Sequence, residues 1–375
     1  MLPLSLYIHI PWCIRKCPYC DFNSHKSPET LPEQEYVQAL IADLQTDVSR
    51  FNAREIVSIF IGGGTPSLFS AKAYSTLFTE LRKILTFTPD IEITMEANPG
   101  SVEQQRFTEY RQLGINRLSL GIQSFNPVHL KSLGRVHDEK QAHCAIDAAR
   151  NAGFDNLNLD IMHGLPNQSI AQGMDDLATA LSYQPEHLSW YQLTIEPNTV
   201  FYKENPPLPS EDDAYLLEEQ GFALLNKEGY TRYEISAFSK QGKQARHNLN
   251  YWLFGDYFGI GAGAHGKLTS QNVIQRTQKH RQPKDYQNSE KPFLAKLETV
   301  GGDELIFEFM LNTTRLEQPI PLTLFAATTG LELGALLPKL KLAEQKNLIS
   351  LTDTHWQVTP LGRRYTNNLQ ALFLP

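Results

Sequence analysis

The chain has 375 residues, of which 41% are hydrophobic and 20% are charged, and its formal net charge is −7 at pH 7. These values are ordinary for a globular protein rather than for a disordered or membrane chain. The acidic balance, with a sequence pI near 5.9, gives no overall attraction for nucleic acid. No apolar run approaches the ~20 residues of a membrane span, and no basic residue precedes the apolar start, unlike a secretory signal. We therefore expect a cytoplasmic protein without a membrane span.

The first predicted strand, residues 6–10, ends at Pro11 and leads directly into a cysteine-rich loop. Three of the four cysteines of the chain fall in this loop, at Cys13, Cys17 and Cys20. Three thiolates in one loop can ligate three irons of a four-iron cluster and leave the fourth iron open to a small molecule. The spacing therefore predicts an iron–sulfur site at which chemistry takes place.

Two other roles for these cysteines have to be weighed. A structural zinc ion needs a fourth ligand, which His9, His25 or Cys144 would have to supply. A disulfide framework is typical of short secreted chains, and this chain is long and shows no secretory leader. We expect Cys144 to be packed inside a helix, because free cysteine is commonly buried. The iron–sulfur interpretation is preferred to both alternatives.

Strands and helices alternate after the cysteine loop. Apolar residues recur at three- and four-residue steps over residues 33–51, which predicts an amphipathic helix, and a second helix is predicted at about 138–152. Five more strands are predicted over residues 56–61, 91–96, 117–123, 156–162 and 187–193. Six regularly spaced strand–helix units favour a right-handed parallel array. Periodicity alone leaves an open barrel, an eight-unit barrel and a doubly wound sheet as alternatives.

Ligands of parallel sheets bind beyond the carboxyl ends of the strands. The second predicted strand ends in Gly62–Gly64 and Thr65, a segment that lets backbone approach a ligand closely but that by itself is simply a tight turn. Polar side chains stand near the ends of later strands, at Glu96, Gln123, Asp160 and Gln192, with Arg135 shortly after the fourth strand. A salt-bridged rim would explain any one of them. Together with the cysteines they predict a ligand-binding cradle.

Residues 7–22 carry a resemblance to a known family. Tyr7-Ile8-His9-Ile10-Pro11-Trp12-Cys13, continued by Cys17-Pro18-Tyr19-Cys20-Asp21-Phe22, resembles the radical S-adenosylmethionine superfamily. Within it the chain is most similar, over nearly its whole length, to the branch of oxygen-independent coproporphyrinogen oxidases and the heme chaperones related to them. The resemblance implies an α/β fold with an incomplete, open (β/α)6 barrel, a [4Fe-4S] cluster on the three loop cysteines, and S-adenosylmethionine. In such proteins an electron donor reduces the cluster, and cleavage of S-adenosylmethionine gives a 5′-deoxyadenosyl radical.

The resemblance also implies which residues contact S-adenosylmethionine. They are Tyr7, Tyr19, Gly63, Gly64, Thr65, Glu96, Gln123, Arg135 and Asp160. Arg135 is suited to a two-pronged pairing with the methionine carboxylate. Gln123 and Asp160 are suited to the ribose hydroxyls, and Glu96 is suited to the amino group.

Beyond the barrel, residues 246–252 read Arg-His-Asn-Leu-Asn-Tyr-Trp. A lone histidine beside an asparagine most simply caps and packs a loop. In the heme-chaperone branch, however, a His-Asn-x-x-Tyr-Trp motif is linked to heme, which makes His247 a candidate axial ligand. His265, in the glycine-rich stretch 259–266, is the second candidate. The polar residues from about 270 to 295 are expected to form a connecting segment.

The C-terminal part has the pattern of a small winged-helix-like domain. Three helices are predicted over residues 303–311, 322–327 and 335–345, followed by a hairpin of 348–351 with 356–358. Such domains raise the question of DNA binding, but the basic residues here are interspersed rather than massed, so a lid or partner-docking surface is preferred. We expect three units: the barrel at 1–230, an extension carrying the histidine motif at 231–285, and the C-terminal domain at 286–375.

The resemblance implies a protein that binds heme and transfers it to acceptor proteins such as respiratory enzymes. The alternative is the oxygen-independent oxidase itself, an enzyme of porphyrin biosynthesis that decarboxylates two propionate side chains. Phe22 stands where that oxidase has a fourth cysteine, and only six residues precede Tyr7, where the oxidase has an N-terminal extension. Both departures argue against the oxidase, and whether S-adenosylmethionine is cleaved productively is left open. A structural zinc protein and a nucleic-acid-binding protein are the remote alternatives.

Overall fold

The structure is a computed structural model that describes residues 2–51 and 53–375. Strands and helices alternate over its first half. In chain order these elements are β1 (Leu4–Ile10), β2 (Trp12–Cys13), β3 (His25–Lys26), α1 (Glu33–Phe51), β4 (Ile56–Gly63), α2 (Ala71–Ile84), β5 (Phe87–Ala97), α3 (Ser101–Gln104), α4 (Phe107–Gln112), β6 (Arg117–Gln123), α5 (Pro127–Ser132), α6 (Glu139–Asn151), β7 (Leu157–His163), α7 (Ile170–Ser182) and β8 (His187–Gln192).

Six of these strands form a parallel array in the order β1-β4-β5-β6-β7-β8. Every residue of β6 is buried, as expected of a strand that is covered on both faces. The array is the predicted set of six strand–helix units, and it confirms the incomplete (β/α)6 arrangement. Within the described residues the sheet remains open, because its two edge strands lie at opposite ends of the strand order.

Helices α1 and α6 begin where the sequence predicts them. Helix α1 buries a stripe that includes Tyr36, Leu40 and Leu44 against the sheet. Helix α6 begins at a capping box, in which Asp138 and Gln141 satisfy each other's backbone N–H groups. The prediction for Cys144 is wrong, because its side chain is exposed on α6. The buried face of this helix is formed instead by alanines and an isoleucine, and Cys144 falls on the opposite face.

The chain then extends the sheet at both edges. The elements are α8 (Val200–Glu204), α9 (Glu211–Lys227), β9 (Thr231–Glu234), β10 (Ala237–Ser239), α10 (Arg246–Trp252), β11 (Asp256–Ile260), β12 (His265–Ser270), β13 (Val273–Lys279), α11 (Pro283–Tyr286) and β14 (Leu294–Val300). Strand β11 pairs in parallel with β1, and β12, β13 and β14 follow as an antiparallel ribbon. At the other edge, β10 and β9 pair antiparallel beyond β8. Over residues 2–51 and 53–375 the sheet has twelve strands.

The expected connecting segment at 270–295 is therefore wrong, since β13 lies in its middle. Polar composition misled the prediction because β13 is an antiparallel strand with alternating burial, in which Ile274, Thr277 and Lys279 are buried. The ammonium of Lys279 lies 2.8 Å from Asp47 and also contacts Asp43, and all three side chains are fully buried. Burial raises the pKa of Asp43 to about 6, although Lys279 opposes that shift. This buried charge cluster attaches the ribbon to α1.

The C-terminal part has an apolar cluster of its own, which includes Phe309, Phe325 and Trp356. Its elements are α12 (Gly302–Thr313), β15 (Ile320–Pro321), α13 (Leu322–Thr329), α14 (Leu337–Gln345), β16 (Ile349–Leu351), β17 (His355–Val358), α15 (Pro360–Arg364) and α16 (Thr366–Ala371). The predicted hairpin is confirmed, with β16 and β17 paired antiparallel and β15 added beside β17. Among residues 2–51 and 53–375, no helix combines the length and hydropathy that crossing a bilayer requires.

Candidate functional site

A cavity of about 300 Å³ lies at the carboxyl ends of the parallel strands. We refer to it as the first cavity. The three loop cysteines line it together with eight of the nine residues that the resemblance implies for S-adenosylmethionine, namely Tyr19, Gly63, Gly64, Thr65, Glu96, Gln123, Arg135 and Asp160. Residues from six separate segments therefore meet in one place, as expected when parallel strands end at the same edge of a sheet.

Each cysteine of the loop has a polar neighbour. The hydroxyl of Thr65 donates to Cys13 Sγ at 3.6 Å, and Arg135 Nη1 donates to Cys17 Sγ at 3.6 Å. Cys20 Sγ lies 3.9 Å from the hydroxyl of Ser24. Burial raises the pKa of the Cys13 and Cys20 thiols. Donors aimed at sulfur oppose that effect and favour the thiolate form that ligates metal.

The alternative zinc ligands are placed poorly for that role. Both ring nitrogens of His9 are engaged, by the Tyr7 hydroxyl at 2.9 Å and the carbonyl of Asn23 at 2.9 Å. His25 Nε2 contacts a backbone carbonyl, and Cys144 is exposed on α6. In the part of the chain that the structure describes, no three His, Cys, Asp or Glu side chains are arranged around a single metal-ion position. The loop cysteines line a cavity wall instead.

The glycine segment after β4 holds the cysteine loop in place. The N–H groups of Gly64 and Thr65 donate to the carbonyls of Ile10 and Trp12, at 2.7 Å and 2.8 Å. A Cβ atom at Gly63, whose φ is +112°, would overlap the ring of His9. Glycine is required here because the end of β4 packs directly against the side chain of His9 on β1. The N–H groups of Gly64 and Thr65 are therefore not available to a ligand. The N–H group of Gly63 points into the site and donates to Glu96.

Two half-buried carboxylates dominate the electrostatics of the first cavity. Glu96 Oε2 accepts from Gly63 N at 3.1 Å, and burial together with the charge of Asp160 raises the pKa of Glu96 to about 7. Asp160 accepts from the Ser119 hydroxyl at 2.9 Å and from Asn158 Nδ2 at 2.8 Å, and burial raises its pKa as well. A cation between these carboxylates would relieve both pKa shifts. The cavity is therefore suited to a positively charged ligand.

Arg135 joins the cysteine loop to the sheet. Its Nη2 donates to Asn98 Oδ1 at 2.6 Å and to the carbonyl of Gly121 at 2.7 Å. Its buried Nε has no hydrogen-bond partner among the described residues. A buried guanidinium group with an unpaired N–H is suited to an anionic ligand group such as a carboxylate.

Asn98 and Tyr191 also line the first cavity, and sequence reasoning missed both. Asn98 holds Arg135 and donates to Thr65 Oγ1 at 2.8 Å, and its position two residues after Glu96 was the available signal. The Tyr191 hydroxyl donates to Gln123 Oε1 at 2.7 Å, and Gln123 adopts a left-handed φ of 69°. Gln192 is exposed and does not belong to the cavity. Side chains alternate between the two faces of β8, so Tyr191 faces the cavity and Gln192 does not. A prediction of the strand alone does not tell which of two successive residues faces the ligand.

A second cavity, of about 640 Å³, adjoins the first on the side of the ribbon. It is lined by Tyr7, His9, Phe22, Asn23, Gly63, Glu96, Tyr251, Tyr257, Gly263, His265, Gln278 and Arg281. Tyr7, the ninth residue implied for S-adenosylmethionine, lies here rather than in the first cavity. Phe22, Gly63 and Glu96 border both cavities, so the two spaces share a wall.

The two candidate heme ligands lie in different surroundings. His247 is 1% exposed, its Nδ1 is 3.1 Å from the Ser58 hydroxyl, and its Nε2 is 2.8 Å from the Tyr251 hydroxyl. Burial lowers the pKa of His247 to about 3. His265 is exposed on the wall of the second cavity, and its ring forms no hydrogen bond with the residues that the structure describes. The structure thus brings only His265 to the cavity with free ring nitrogens.

Comparison with known proteins extends these observations. Residues 7–179 match the Radical SAM superfamily, and residues 302–365 match the HemN C-terminal domain. "Heme chaperone HemW" of Haemophilus influenzae is 48% identical over 99% of this chain and 98% of its own length, and that of Escherichia coli is also 48% identical, with the same coverage. The Bacillus subtilis protein of that name is 35% identical over 99% of both chains.

A solved structure shares the fold over almost the entire chain. The coproporphyrinogen III oxidase HemN from Escherichia coli, described as a radical SAM enzyme, superposes with a TM-score of 0.84 at 24% identity, covering 99% of this chain and 90% of that protein. This likeness supports the described architecture, including the C-terminal domain. With full-length relatives at 48% identity, the chain belongs to the HemW family of the radical SAM superfamily.

Proposed function

We propose that this protein is a heme chaperone, which binds heme in the second cavity and delivers it to acceptor proteins. The observation that carries the proposal is the pairing of two adjoining cavities in a chain that aligns from end to end with proteins called heme chaperones. One cavity is lined by the three loop cysteines and by Glu96, Arg135 and Asp160, and the other is larger and carries aromatic side chains. A reducing compartment such as the cytoplasm suits the exposed edge of the cysteine loop.

The first cavity is proposed to hold a [4Fe-4S] cluster and S-adenosylmethionine. Cys13, Cys17 and Cys20 would ligate the cluster, which together with S-adenosylmethionine supplies one-electron chemistry. Glu96 would bind the amino group, because among the described residues its half-buried carboxylate accepts one hydrogen bond, from Gly63 N. Arg135 would meet the carboxylate through its unpaired Nε.

The ribose hydroxyls of S-adenosylmethionine are assigned to Gln123 and Asp160. Each side chain is already held in place, by the hydroxyl of Tyr191 and by Ser119 with Asn158 respectively. Tyr19, Gly63, Gly64 and Thr65 would form the remaining wall against the cysteine loop. Tyr7 would contact S-adenosylmethionine from the side of the second cavity, next to Glu96, which borders both cavities. An electron donor is a required partner of this site.

The second cavity fits a ligand of cofactor size, since such sites enclose about 300–1,000 Å³ and are lined by apolar and aromatic side chains. Phe22 and Tyr251 offer aromatic surface, and Arg281 offers a cation for a propionate group. Of the two candidate ligands, His265 is the better axial ligand because its imidazole is unpaired and exposed to the cavity. His247 would have to break two hydrogen bonds to reach iron.

A coproporphyrinogen oxidase is the second candidate, favoured by the shared fold with HemN. The two functions separate in one anaerobic experiment. The protein with its cluster reconstituted is supplied with S-adenosylmethionine, reductant and coproporphyrinogen, and the porphyrin products are analysed by mass. The same preparation is then titrated with heme. We expect stoichiometric heme uptake without decarboxylation, whereas formation of protoporphyrinogen would overturn the chaperone assignment.

A further inference from the structure

The histidine motif on α10 places a tyrosine hydroxyl against an imidazole. His247 and Tyr251 stand four residues apart, so they share one face of the helix. Tyr251 Oη lies 2.8 Å from His247 Nε2, and the two rings meet edge to face with centroids 4.6 Å apart. The histidine is buried, whereas the tyrosine borders the second cavity. The motif therefore presents its phenol, not its imidazole, to that cavity.

The imidazole is fixed by contacts behind it. Ser58 Oγ lies 3.1 Å from His247 Nδ1 and 2.7 Å from the hydroxyl of Ser5 on the neighbouring strand. The carboxylate of Glu92 accepts from the backbone N–H groups of Arg246 and His247, both at 3.2 Å, which holds the start of α10 against the sheet. When Nδ1 donates to Ser58, Nε2 is left to accept from Tyr251. This arrangement gives the phenol a built-in proton acceptor.

We propose that Tyr251 is an axial ligand of ferric heme in the second cavity, and that His247 is a positioning residue that receives the phenolic proton. This inference rests on the proposed heme-binding function. As the iron–oxygen bond forms, the O–H bond of Tyr251 breaks and the proton passes to His247 Nε2, while the iron stays ferric. Tyrosine is an established class of heme-iron ligand, and a base within hydrogen-bond reach is the usual means of activating a hydroxyl. Tyr251 and His265 do not compete, because heme iron has two axial positions.

Two other tyrosines of the second cavity are less suited to this role. The Tyr257 hydroxyl accepts from Arg276 Nη1 at 2.9 Å and has no basic partner. Tyr7 does have an imidazole partner, His9, but it faces Glu96, whose negative charge opposes a phenolate. Burial raises the pKa of both Tyr251 and Tyr257, and the positive charge of Arg276 opposes that shift at both tyrosines. The imidazole acceptor thus separates Tyr251 from Tyr257, and the negative charge of Glu96 separates it from Tyr7.

His247 Nε2 lies within hydrogen-bond reach of the phenolic proton, so the imidazole can receive that proton once iron has made the phenol acidic. A bound metal ion reverses the local order of acidities in this manner. The role of His247 is therefore distinct from ligation. A variant that keeps a hydrogen-bonding group but cannot take up a proton separates the two roles, and His247→Gln is such a variant.

The test is a ferric-heme titration of the whole protein followed by absorption and resonance Raman spectroscopy. We expect stoichiometric binding with a phenolate-to-iron charge-transfer band, and tyrosinate modes that shift when the protein contains ring-deuterated tyrosine. Tyr251→Phe should lose the band, while Tyr257→Phe should keep it. His247→Gln should weaken ferric-heme binding by about 10–100-fold, as outer partners of metal ligands do, and move the appearance of the band to higher pH.

The outcomes distinguish this inference from the proposed function. If the unmodified protein takes up no stoichiometric heme, the chaperone function fails and the ligand assignment fails with it. If heme binds stoichiometrically but Tyr251→Phe keeps the original spectrum, or Tyr7→Phe removes the band instead, the ligand assignment alone is overturned. The isotope shift needs no substitution, so it decides the question even if Tyr251→Phe does not fold. An unshifted spectrum excludes tyrosine as the ligand.

Discussion

The two cavities are built by different means. The first is formed where parallel strands end, so its polar residues are spread over more than a hundred positions yet meet at one edge. The second is bounded by β1, the antiparallel ribbon and α10, whose positions depend on particular contacts such as the Lys279 charge cluster. General rules of sheet geometry place the first cavity, whereas individual side chains place the second. Substitutions should therefore affect the two cavities separately.

The largest effect is expected at the cysteine loop. Cys17→Ser removes one of three cluster ligands and should abolish the iron–sulfur absorbance of the reconstituted protein. Cys144→Ser is the matched control, because that thiol is exposed on α6 and far from the loop in sequence. An unchanged cluster spectrum in Cys17→Ser would remove the basis for the first cavity as a cluster site.

The second effect tests whether the ribbon depends on its charge cluster. Lys279→Met leaves Asp43 and Asp47 buried without a cation, and breaking a buried ion pair from one side costs about 3–5 kcal/mol. We expect a loss of this size in the free energy of unfolding, measured by denaturant titration. Lys296→Met, which removes only an exposed pair with Glu298, should cost about 0–1 kcal/mol. Equal losses in the two variants would show that the charge cluster does not hold the ribbon.

The third prediction concerns Glu96, which belongs to the shared wall. Glu96→Gln removes a charged hydrogen-bond partner and should weaken S-adenosylmethionine binding by about 1.5–3 kcal/mol, or roughly 10–150-fold. The measurement is calorimetric titration of the reconstituted protein. Gln123→Glu is a useful comparison, because it adds a carboxylate to the same cavity. Full affinity in Glu96→Gln would assign the amino group to another residue.

The pH dependence of that binding follows from the pKa of Glu96. Without ligand the Glu96 carboxyl keeps its proton up to about pH 7. The stability of the unliganded fold therefore falls as the pH rises from the usual pKa of a glutamate to about 7. A bound cation lowers this pKa, so binding releases a proton. The affinity for S-adenosylmethionine should rise with pH and level off above about pH 7. The slope should be smaller in Glu96→Gln, and an identical slope would contradict the assignment.

The smallest effect is expected at the wall of the second cavity. His265→Ala removes an exposed, unpaired imidazole and should weaken heme binding about tenfold, which corresponds to about 1.4 kcal/mol. Heme titration followed at the Soret band measures it, and the cluster absorbance should be unaffected. His355→Ala, on the C-terminal hairpin, provides the control. Unaltered heme affinity in His265→Ala would leave the second cavity without its proposed histidine ligand.

The same contrast explains what could be predicted from sequence. Strand β6 and helix α1 match their predicted bounds, because an apolar run and a helical stripe are local patterns. Glu96, Gln123 and Asp160 could be grouped because strand ends converge in any parallel array. The prediction that Gln192 lines the cavity was wrong by one residue, because the strand register decides which side chain at a strand end faces the ligand. The three domain bounds stay a prediction.

Features that depend on tertiary contacts could not be predicted. A buried lysine such as Lys279 makes a strand look like a linker, because the compensating carboxylates lie some 230 positions away in sequence. The burial of His247 could not be predicted for the same reason, since it depends on Ser58 of β4 and on Glu92 of β5, which hold α10 against the sheet. A sequence motif records which residues are present, and only packing decides which one faces the ligand.

The wall that Phe22, Gly63 and Glu96 form between the cavities has a thermodynamic consequence. A ligand on one side that moves this wall changes the free energy of binding on the other side. Reciprocity then applies: the factor by which S-adenosylmethionine alters heme affinity equals the factor by which heme alters S-adenosylmethionine affinity. Coupling free energies between linked sites are typically about 1–3 kcal/mol, or about 5–150-fold in affinity. Phe22, Gly63 and Glu96 are thus the residues through which binding in one cavity would be coupled to binding in the other.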